Sequence, residues 1–121
     1  MFAQQLIIKK AIVKGVEHEI QNNILDFGKI KHKDFTAAKA DFIIINEDGL
    51  NPLIITQCQT SCGCTTPTCP KQPIPPKGQS MVSIQYDADR LGVFDKKVVL
   101  YSNAQEAMVT ITLKGEIVKE Q

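Results

Sequence analysis

The 121-residue chain contains no tryptophan and only two tyrosines, so it lacks the aromatic surface on which sugars or single-stranded nucleic acids stack. Its charges nearly balance, with 14 Lys and Arg against 13 Asp and Glu and a formal net charge of +1. A nucleic-acid-binding surface needs clustered positive charge, so nucleic acid is not expected as a partner. No apolar run approaches the ~18 residues that cross a bilayer. The sequence predicts no transmembrane segment.

Two sequence motifs of enzymes are also missing. The chain has neither a glycine-rich loop that could cradle a phosphate nor a serine-centred turn typical of acyl-transfer enzymes. Its histidines, His18 and His32, lie far from the cysteines in sequence, and both are expected on the solvated surface. A Cys–His nucleophilic pair is therefore unsupported. We expect no catalytic residue and no enzymatic activity, and the sequence does not favour a small-molecule substrate.

What the chain does contain is a series of short apolar or alternating segments, separated by turn-forming residues about every eight to twelve positions. No helical periodicity is evident. The pattern predicts an all-β fold, an immunoglobulin-like β-sandwich of about seven or eight antiparallel strands. We assign the sandwich to residues 24–121 and treat residues 1–23 as an N-terminal extension that could add a strand. The predicted strands cover residues 6–13, 16–20, 24–30, 39–46, 53–56, 81–86, 94–102 and 108–118.

The sequence also predicts where β-bulges and an exposed sheet edge lie. Gly28 is expected to permit a β-bulge or a close backbone approach, and Gly115 to mark a bulge in the last strand. The segment 16–20 or the last strand could form an exposed sheet edge that accepts a strand from a partner. Such edges are usually protected by charged side chains.

All four cysteines fall between Cys58 and Cys69, in the stretch CQTSCGCTTPTC. Five of the six prolines lie in this stretch and its continuation to Gly78. Proline lacks an N–H and fixes φ, so we predict a stiff loop rather than a strand or a helix. Disulfides would crosslink a segment that buries little apolar surface, and four cysteines allow three pairings. An even number of clustered cysteines in a small domain is typical of an oxidising compartment.

Metal binding is an alternative role for the same side chains. Cys58, Cys62, Cys64 and Cys69 could supply four thiolates to zinc, and Cys62 with Cys64 could hold Cu(I). The spacing differs from the Cys-x2-Cys knuckle of most zinc folds, and disulfide formation would compete for the same sulfurs. No cofactor is therefore favoured, with zinc or copper kept as the alternative.

A redox-active thiol pair is the third possibility. A Cys62–Cys64 bond would close a very small ring across Gly63, and strain in such a ring makes a disulfide easier to reduce. Thiol oxidoreductases, however, usually stabilise the thiolate with a helix N-terminus or a nearby cation. The nearest cation in sequence is Lys71, and no helix is predicted.

The first five residues, MFAQQ, lack the basic and apolar regions of an export signal. Ala3 followed by two glutamines nevertheless looks like the end of a signal sequence at a small-residue cleavage site. We therefore expect a mature exported chain from which a leader has been removed and to which a start Met has been added, with a cytosolic protein that simply begins in this way as the alternative.

Several spaced motifs in the same order resemble a widespread domain of unknown function of exported bacterial proteins, which has an immunoglobulin-like fold. More distantly, the chain is similar to the major-sperm-protein and Hydin-type sandwiches. The resemblance covers residues 26–118, and its landmarks are DFGKI (26–30), the strand ending at Asn46 with its turn to Leu53, SCGCTTP (61–67), KQPIPPKG (71–78), VSIQYD (82–87), RLGVFDK (90–96), SNA (102–104) and LKGEI (113–117).

The resemblance implies a fold and an exported, periplasmic or cell-surface location, but no activity. Cys58 and Cys69 stand where this family more usually has an apolar and an aromatic residue. The resemblance therefore favours a Cys58–Cys69 disulfide and leaves Cys62 and Cys64 bonded to each other or free. We expect a non-catalytic binding or structural module that contacts an unidentified cell-envelope protein through an end loop or an edge strand. The alternative is a copper- or zinc-binding or thiol-redox domain that uses Cys62 and Cys64.

Overall fold

The computed structural model describes residues 5–119, and within that range the chain forms nine β-strands and no helix. In this part of the chain there is accordingly no helix long and apolar enough to cross a membrane. The predicted signal-cleavage position at Ala3 lies outside the described residues. The strands are β1 (Leu6–Val13), β2 (Val16–Glu19), β3 (Ile24–Lys31), β4 (Lys39–Asn46), β5 (Ile55–Gln59), β6 (Thr65–Thr68), β7 (Gln79–Tyr86), β8 (Gly92–Ser102) and β9 (Met108–Val118).

The strands form two sheets that pack as a sandwich. One sheet has the order β2-β1-β4-β7-β6, and the other has the order β3-β9-β8-β5. The all-β, immunoglobulin-like fold class is confirmed, with nine strands rather than seven or eight. Neighbouring strands run antiparallel except β3 and β9, which pair in parallel from Ile24↔Thr112 to Lys31↔Val118.

The core lies between the inner faces of the two sheets. Alternation along each strand turns every second side chain inward, as predicted for Val82, Ile84 and Tyr86 of β7, which are all buried. The opposite sheet contributes the buried side chains of β8 and β9. The largest apolar side chains that are fully buried are Phe42, Ile44, Leu53, Ile74, Val82, Ile84, Val98, Leu100, Ile111, Leu113 and Ile117.

The prediction of a continuous loop from residue 58 onward is wrong. Strand β5 runs through Cys58 to Gln59, and β6 pairs antiparallel with β7, from Thr65↔Tyr86 to Thr68↔Ser83. Pro67 is tolerated in β6 because this strand is at the edge of its sheet, where one side needs no N–H donor. Further along, Leu53 and Ile74 exchange two backbone hydrogen bonds of 2.9 and 2.8 Å.

The two glycines behave differently from each other. Gly28 has a φ of +69°, and the β3–β9 register shifts between Asp26 and Lys29, so the bulge predicted there is confirmed. The bulge predicted in the last strand at Gly115 is wrong, because β8 and β9 pair without a shift through Phe94↔Gly115, and the extra residue of the β3–β9 bulge lies in β3, opposite Gly115. Gly115 is instead a close-packing position, where an added Cβ would lie 2.8 Å from Cζ of Phe94.

The N-terminal segment belongs to the larger sheet. Strand β1 lies between β2 and β4, and β2 is the outer strand, with all four of its residues exposed. This agrees with the edge predicted at residues 16–20. The alternative edge is wrong, because β9 lies between β3 and β8. The proposed domain boundary at residue 24 stays a prediction.

Candidate functional site

The cysteine loop connects the outer strands of the two sheets. Cys58 lies in β5, opposite Leu100 of β8, and Cys69 follows directly after β6. The structure pairs these two cysteines in a disulfide, with their Cα atoms 6.1 Å apart. Because β5 and β6 are outer strands of different sheets, this bond, called here the staple, joins the two layers of the sandwich covalently on one side.

A second disulfide lies inside the loop. Cys62 and Cys64 are bonded to each other across Gly63, and their Cα atoms are 5.3 Å apart. We call this bond the inner pair. With both disulfides present, the structure contains no free cysteine, since all four cysteines are in the described range.

Backbone hydrogen bonds fix the inner pair against the sandwich. The N–H of Thr65 donates to the carbonyl of Cys62 at 3.3 Å, which closes a turn around Gly63. The N–H of Asp87 donates to the carbonyl of Cys64 at 2.8 Å and thereby ties the loop to the end of β7. The loop is therefore anchored to the edge of the larger sheet.

The sulfurs of the inner pair have polar neighbours. The N–H of Cys64 donates to Sγ of Cys62 at 3.3 Å, and Oγ1 of Thr65 is 3.8 Å from Sγ of Cys64. Cys62 is half-buried, whereas Cys64 is only 5% exposed. The two bonded cysteines thus differ in their exposure to solvent.

A metal would need a different state of these sulfurs. Within residues 5–119, the structure contains no group of three or more His, Cys, Asp or Glu side chains arranged to hold a metal ion. A tetrahedral site requires thiolates, and all four cysteines are paired as disulfides. The residues do not fit a four-thiolate zinc site unless both disulfides are reduced first, and Cys62 with Cys64 do not fit Cu(I) unless the inner pair is reduced.

Neither histidine forms a hydrogen bond or ion pair with a cysteine in residues 5–119. His18 is exposed on β2, and Nε2 of His32 is 3.2 Å from Oδ1 of Asp89. Asp89 belongs to the turn after β7, where its N–H donates to the carboxylate of Asp87 at 2.9 Å. None of these contacts involves a cysteine sulfur.

The carboxylates whose pKa is shifted serve turns rather than a reaction site. Hydrogen bonds from the Lys14 ammonium and from the N–H of Ala37 lower the pKa of Asp34. The N–H of Leu50, at 2.7 Å, is the main cause of the lowered pKa of Asp48. Burial raises the pKa of Tyr86, whose ring stacks on Phe94 with centroids 3.8 Å apart.

One buried polar residue was missed by sequence reasoning. The Asn46 side chain is fully buried, and its amide donates to the carbonyls of Asn51, Ile74 and Pro75 at 2.9 to 3.3 Å. Its Oδ1 accepts a hydrogen bond from the N–H of Asp48. Asn46 therefore connects the turn after β4 to the segment before β7. A signal was present in the sequence, because alternation along β4 places this polar residue on the inward face.

The fold and the loop together define a two-sheet immunoglobulin-like domain with a disulfide-bonded edge. Residues 18–117 match the family described as "Protein of unknown function (DUF1573)". Since the match spans more than half of the chain, the protein belongs to this family. The comparison with curated proteins gives no match.

Two solved structures are similar in fold. A protein of unknown function from Porphyromonas gingivalis W83 has a TM-score of 0.70 and 20% sequence identity, covering 95% of this chain and 46% of its own. This chain therefore spans just under half the length of that protein. The ASH/PapD-like domain 7 of human CEP192 has a TM-score of 0.65 and 9% identity, covering 94% of this chain and 89% of its own. At these identities the similarity establishes the fold alone.

Proposed function

We propose that the protein is an exported, non-catalytic binding module of the periplasm or cell envelope. The observation that carries the proposal is the staple, which joins outer strands of the two sheets. Disulfides form and persist in oxidising compartments and are rare in a reducing cytosol. A sandwich closed in this way presents a stiff set of edges and end loops to a partner.

One experiment measures both the cellular location of the protein and the oxidation state of its cysteines. The cells that make the protein are fractionated after rapid alkylation of free thiols, and the protein is detected by antibody. We expect it in the periplasmic or envelope fraction, with its cysteines resistant to alkylation until a reductant is added. Recovery in the cytosol with all four thiols alkylated would contradict the proposal.

Strand β2 is the surface that we propose for a protein partner. It is the outer strand of the larger sheet, and Val16 at its start is 57% exposed. An outer strand offers unpaired backbone groups that another strand can extend. Glu17 forms an ion pair with Lys10 at 3.2 Å, so charged side chains protect part of this edge.

Site-specific photo-cross-linking in the producing cells tests this surface. A photoreactive residue replaces His18 on β2 in one variant, and Gln105, in the exposed β8–β9 turn, in a matched control. We expect one discrete protein adduct from position 18 and none from position 105. Equal labelling at both positions, or none at position 18, would contradict β2 as the binding edge.

Metal or redox chemistry at Cys62 and Cys64 is the second candidate function. The adjacency of these sulfurs in the fold supports it. After reduction, zinc would bind stoichiometrically if the four thiols form a site, and Cu(I) if Cys62 and Cys64 form one; native mass spectrometry would show the bound ion. Binding that survives in the oxidised protein would require ligands other than these sulfurs.

A further inference from the structure

The two disulfides of the cysteine loop differ in ring size. The staple spans a sequence separation of 11 residues, whereas the inner pair spans a separation of 2. Closing so short a segment removes little entropy from the unfolded chain, and a ring this small favours the open dithiol. Ring size alone therefore makes the inner pair the easier of the two to reduce.

The two cysteines of the inner pair differ in their exposure. Cys62 is half-buried and lies between Ser61 and Gly63, which are both exposed. Cys64 is 5% exposed and belongs to the buried core cluster. Thiol–disulfide exchange requires an incoming thiolate to reach a sulfur directly. Attack is therefore directed to Sγ of Cys62, with Cys64 as the leaving group.

Polar contacts at both sulfurs suit such an exchange. The N–H of Cys64 points at Sγ of Cys62 from 3.3 Å, so it would stabilise negative charge on that sulfur in the reduced form. The Thr65 hydroxyl, 3.8 Å from Sγ of Cys64, can donate to the thiolate that leaves. Each sulfur thus has a hydrogen-bond donor within reach.

We propose that the inner pair is a thiol–disulfide exchange site for an incoming dithiol, with Cys62 as the attacked sulfur. A thiolate of the donor attacks Sγ of Cys62, the Cys62–Cys64 bond breaks, and its electron pair leaves on Sγ of Cys64, which takes a proton from solvent. The second donor thiol loses its proton to solvent and attacks the donor sulfur of the mixed disulfide, which releases Cys62 as a thiolate that takes a proton from solvent. Two electrons and two protons pass to the loop, and the donor becomes a disulfide.

The fold can remain closed during this exchange. Strands β5 and β6 stay joined by the staple, and the 2.8 Å hydrogen bond from Asp87 to the Cys64 carbonyl does not involve a sulfur. Reduction of the inner pair is therefore a local change. The proposal adds an exchange site to the binding module, and its test in vitro does not depend on where the protein resides.

Equilibration in buffers of reduced and oxidised dithiothreitol tests the order of reduction. Samples are quenched in acid and alkylated, and mass spectrometry counts the alkylated thiols. The folded fraction is followed by circular dichroism. We expect two steps, with the inner pair reduced at a ratio of reduced to oxidised dithiothreitol at least about tenfold lower than the staple, and with the fold intact after the first step. A single step in which all four thiols appear together, or earlier reduction of the staple, would overturn the proposal.

The paired variant Cys62→Ser/Cys64→Ser identifies the first step. It should lose that step and keep the second, because the staple remains. Persistence of both steps would show that another bond accounts for the first, and would overturn the assignment.

Single variants test which sulfur is attacked. Cys64→Ser leaves Cys62 as the inner thiol, and Cys62→Ser leaves Cys64. With oxidised glutathione we expect the mixed disulfide to form at least about tenfold faster on Cys62, because Cys62 is the more exposed of the two cysteines. Equal rates in two folded variants, or a faster rate on Cys64, would overturn the assignment of Cys62.

A comparison of donors distinguishes a protein dithiol from a small one. The inner pair is reduced with dithiothreitol or with a bacterial thioredoxin at equal thiolate concentrations. A faster reaction with thioredoxin assigns a protein donor, and a faster reaction with dithiothreitol assigns a small one. If neither reduces the inner pair before the staple, no exchange site exists.

Discussion

At the residue scale, Asn46 connects three backbone segments from inside the core. Its amide donates to three carbonyls, and its Oδ1 accepts from Asp48. Asn46→Leu would keep the approximate volume but leave these buried groups unpaired. We expect a loss of about 2–4 kcal/mol in the free energy of unfolding, measured by urea denaturation without reductant.

Gln105→Leu is the matched control for this change. Gln105 is exposed in the turn between β8 and β9, so the same apolar replacement should alter the free energy of unfolding by no more than about 0.5 kcal/mol. Equal effects of the two substitutions would contradict a structural role for the Asn46 amide.

Gly115 is the second residue whose identity follows from contacts. A Cβ there would lie 2.8 Å from Cζ of Phe94 and 3.0 Å from the carbonyl of Gly28. Phe94 is held in place by stacking on Tyr86, so it has little room to move. We expect Gly115→Ala to lower the free energy of unfolding by about 1–3 kcal/mol in thermal or urea denaturation.

Gly63→Ala serves as the control for overpacking. Nothing lies within 4 Å of a Cβ built at Gly63, and its φ is not in the left-handed region. Its effect on the free energy of unfolding should be close to zero. A loss as large as that of Gly115→Ala would mean that contact with Phe94 is not the cause.

Two turn carboxylates give the stability a defined pH dependence. The pKa values of Asp34 and Asp48 are lowered from 3.8, chiefly by hydrogen bonds from Lys14 and from the N–H of Leu50. The unfolded chain then binds more protons than the folded one, so stability is present above the unfolded pKa and is lost as pH falls through the folded values. We expect the free energy of unfolding to decline from about pH 5 to pH 2.

The pair variant Asp34→Asn/Asp48→Asn tests this cause. It removes both titrating groups while keeping an amide oxygen as an acceptor in each turn. The decline between about pH 5 and pH 2 should become shallower than in the unmodified protein. An identical slope in urea denaturation across this range would refute the contribution of these two carboxylates.

At the element scale, strand existence could be predicted from sequence better than strand pairing. Alternation located β4 and β7, because burial of one face imposes a period of two on the side chains. It could not locate β6, whose residues TTPT show no apolar alternation and whose proline indicated a loop. The parallel pairing of β3 with β9 could not be predicted from local alternation either, because it joins segments far apart in sequence.

The two disulfides should differ in how much they add to the free energy of unfolding and in which strands they stabilise. From the chain entropy that each bond removes, we expect Cys58→Ser/Cys69→Ser to lower the free energy of unfolding by about 3 kcal/mol and Cys62→Ser/Cys64→Ser by about 1.5 kcal/mol. The difference arises because the staple closes a longer segment than the inner pair. Hydrogen exchange should accelerate in β5 and β6 only in the first variant. Equal costs, or unchanged exchange in these strands, would show that the staple does not hold the two edges together.

At the scale of the whole molecule, the fold class could be predicted, but the arrangement of the site could not. Clustering of the cysteines in sequence indicated a crosslinked segment, whereas its position between two outer strands depends on the sheet order. The role of Asn46 depends likewise on carbonyls from residues 51, 74 and 75, which only the fold brings together. Local sequence patterns predict which side chains face the core and where turns lie. The site depends instead on contacts between segments that are far apart in sequence.

The pairing of Cys58 with Cys69 is the central claim, and mapping it in the protein isolated from its producing cells tests it most directly. No Lys or Arg lies between Lys39 and Lys71, so one tryptic peptide, 40–71, holds all four cysteines. Free thiols are alkylated without reductant, and the peptide is sequenced by electron-transfer fragmentation. We predict no alkylation and fragments that link Cys58 to Cys69. Four alkylated thiols, or a link from Cys58 to Cys62 or Cys64, would contradict a staple between the two sheets.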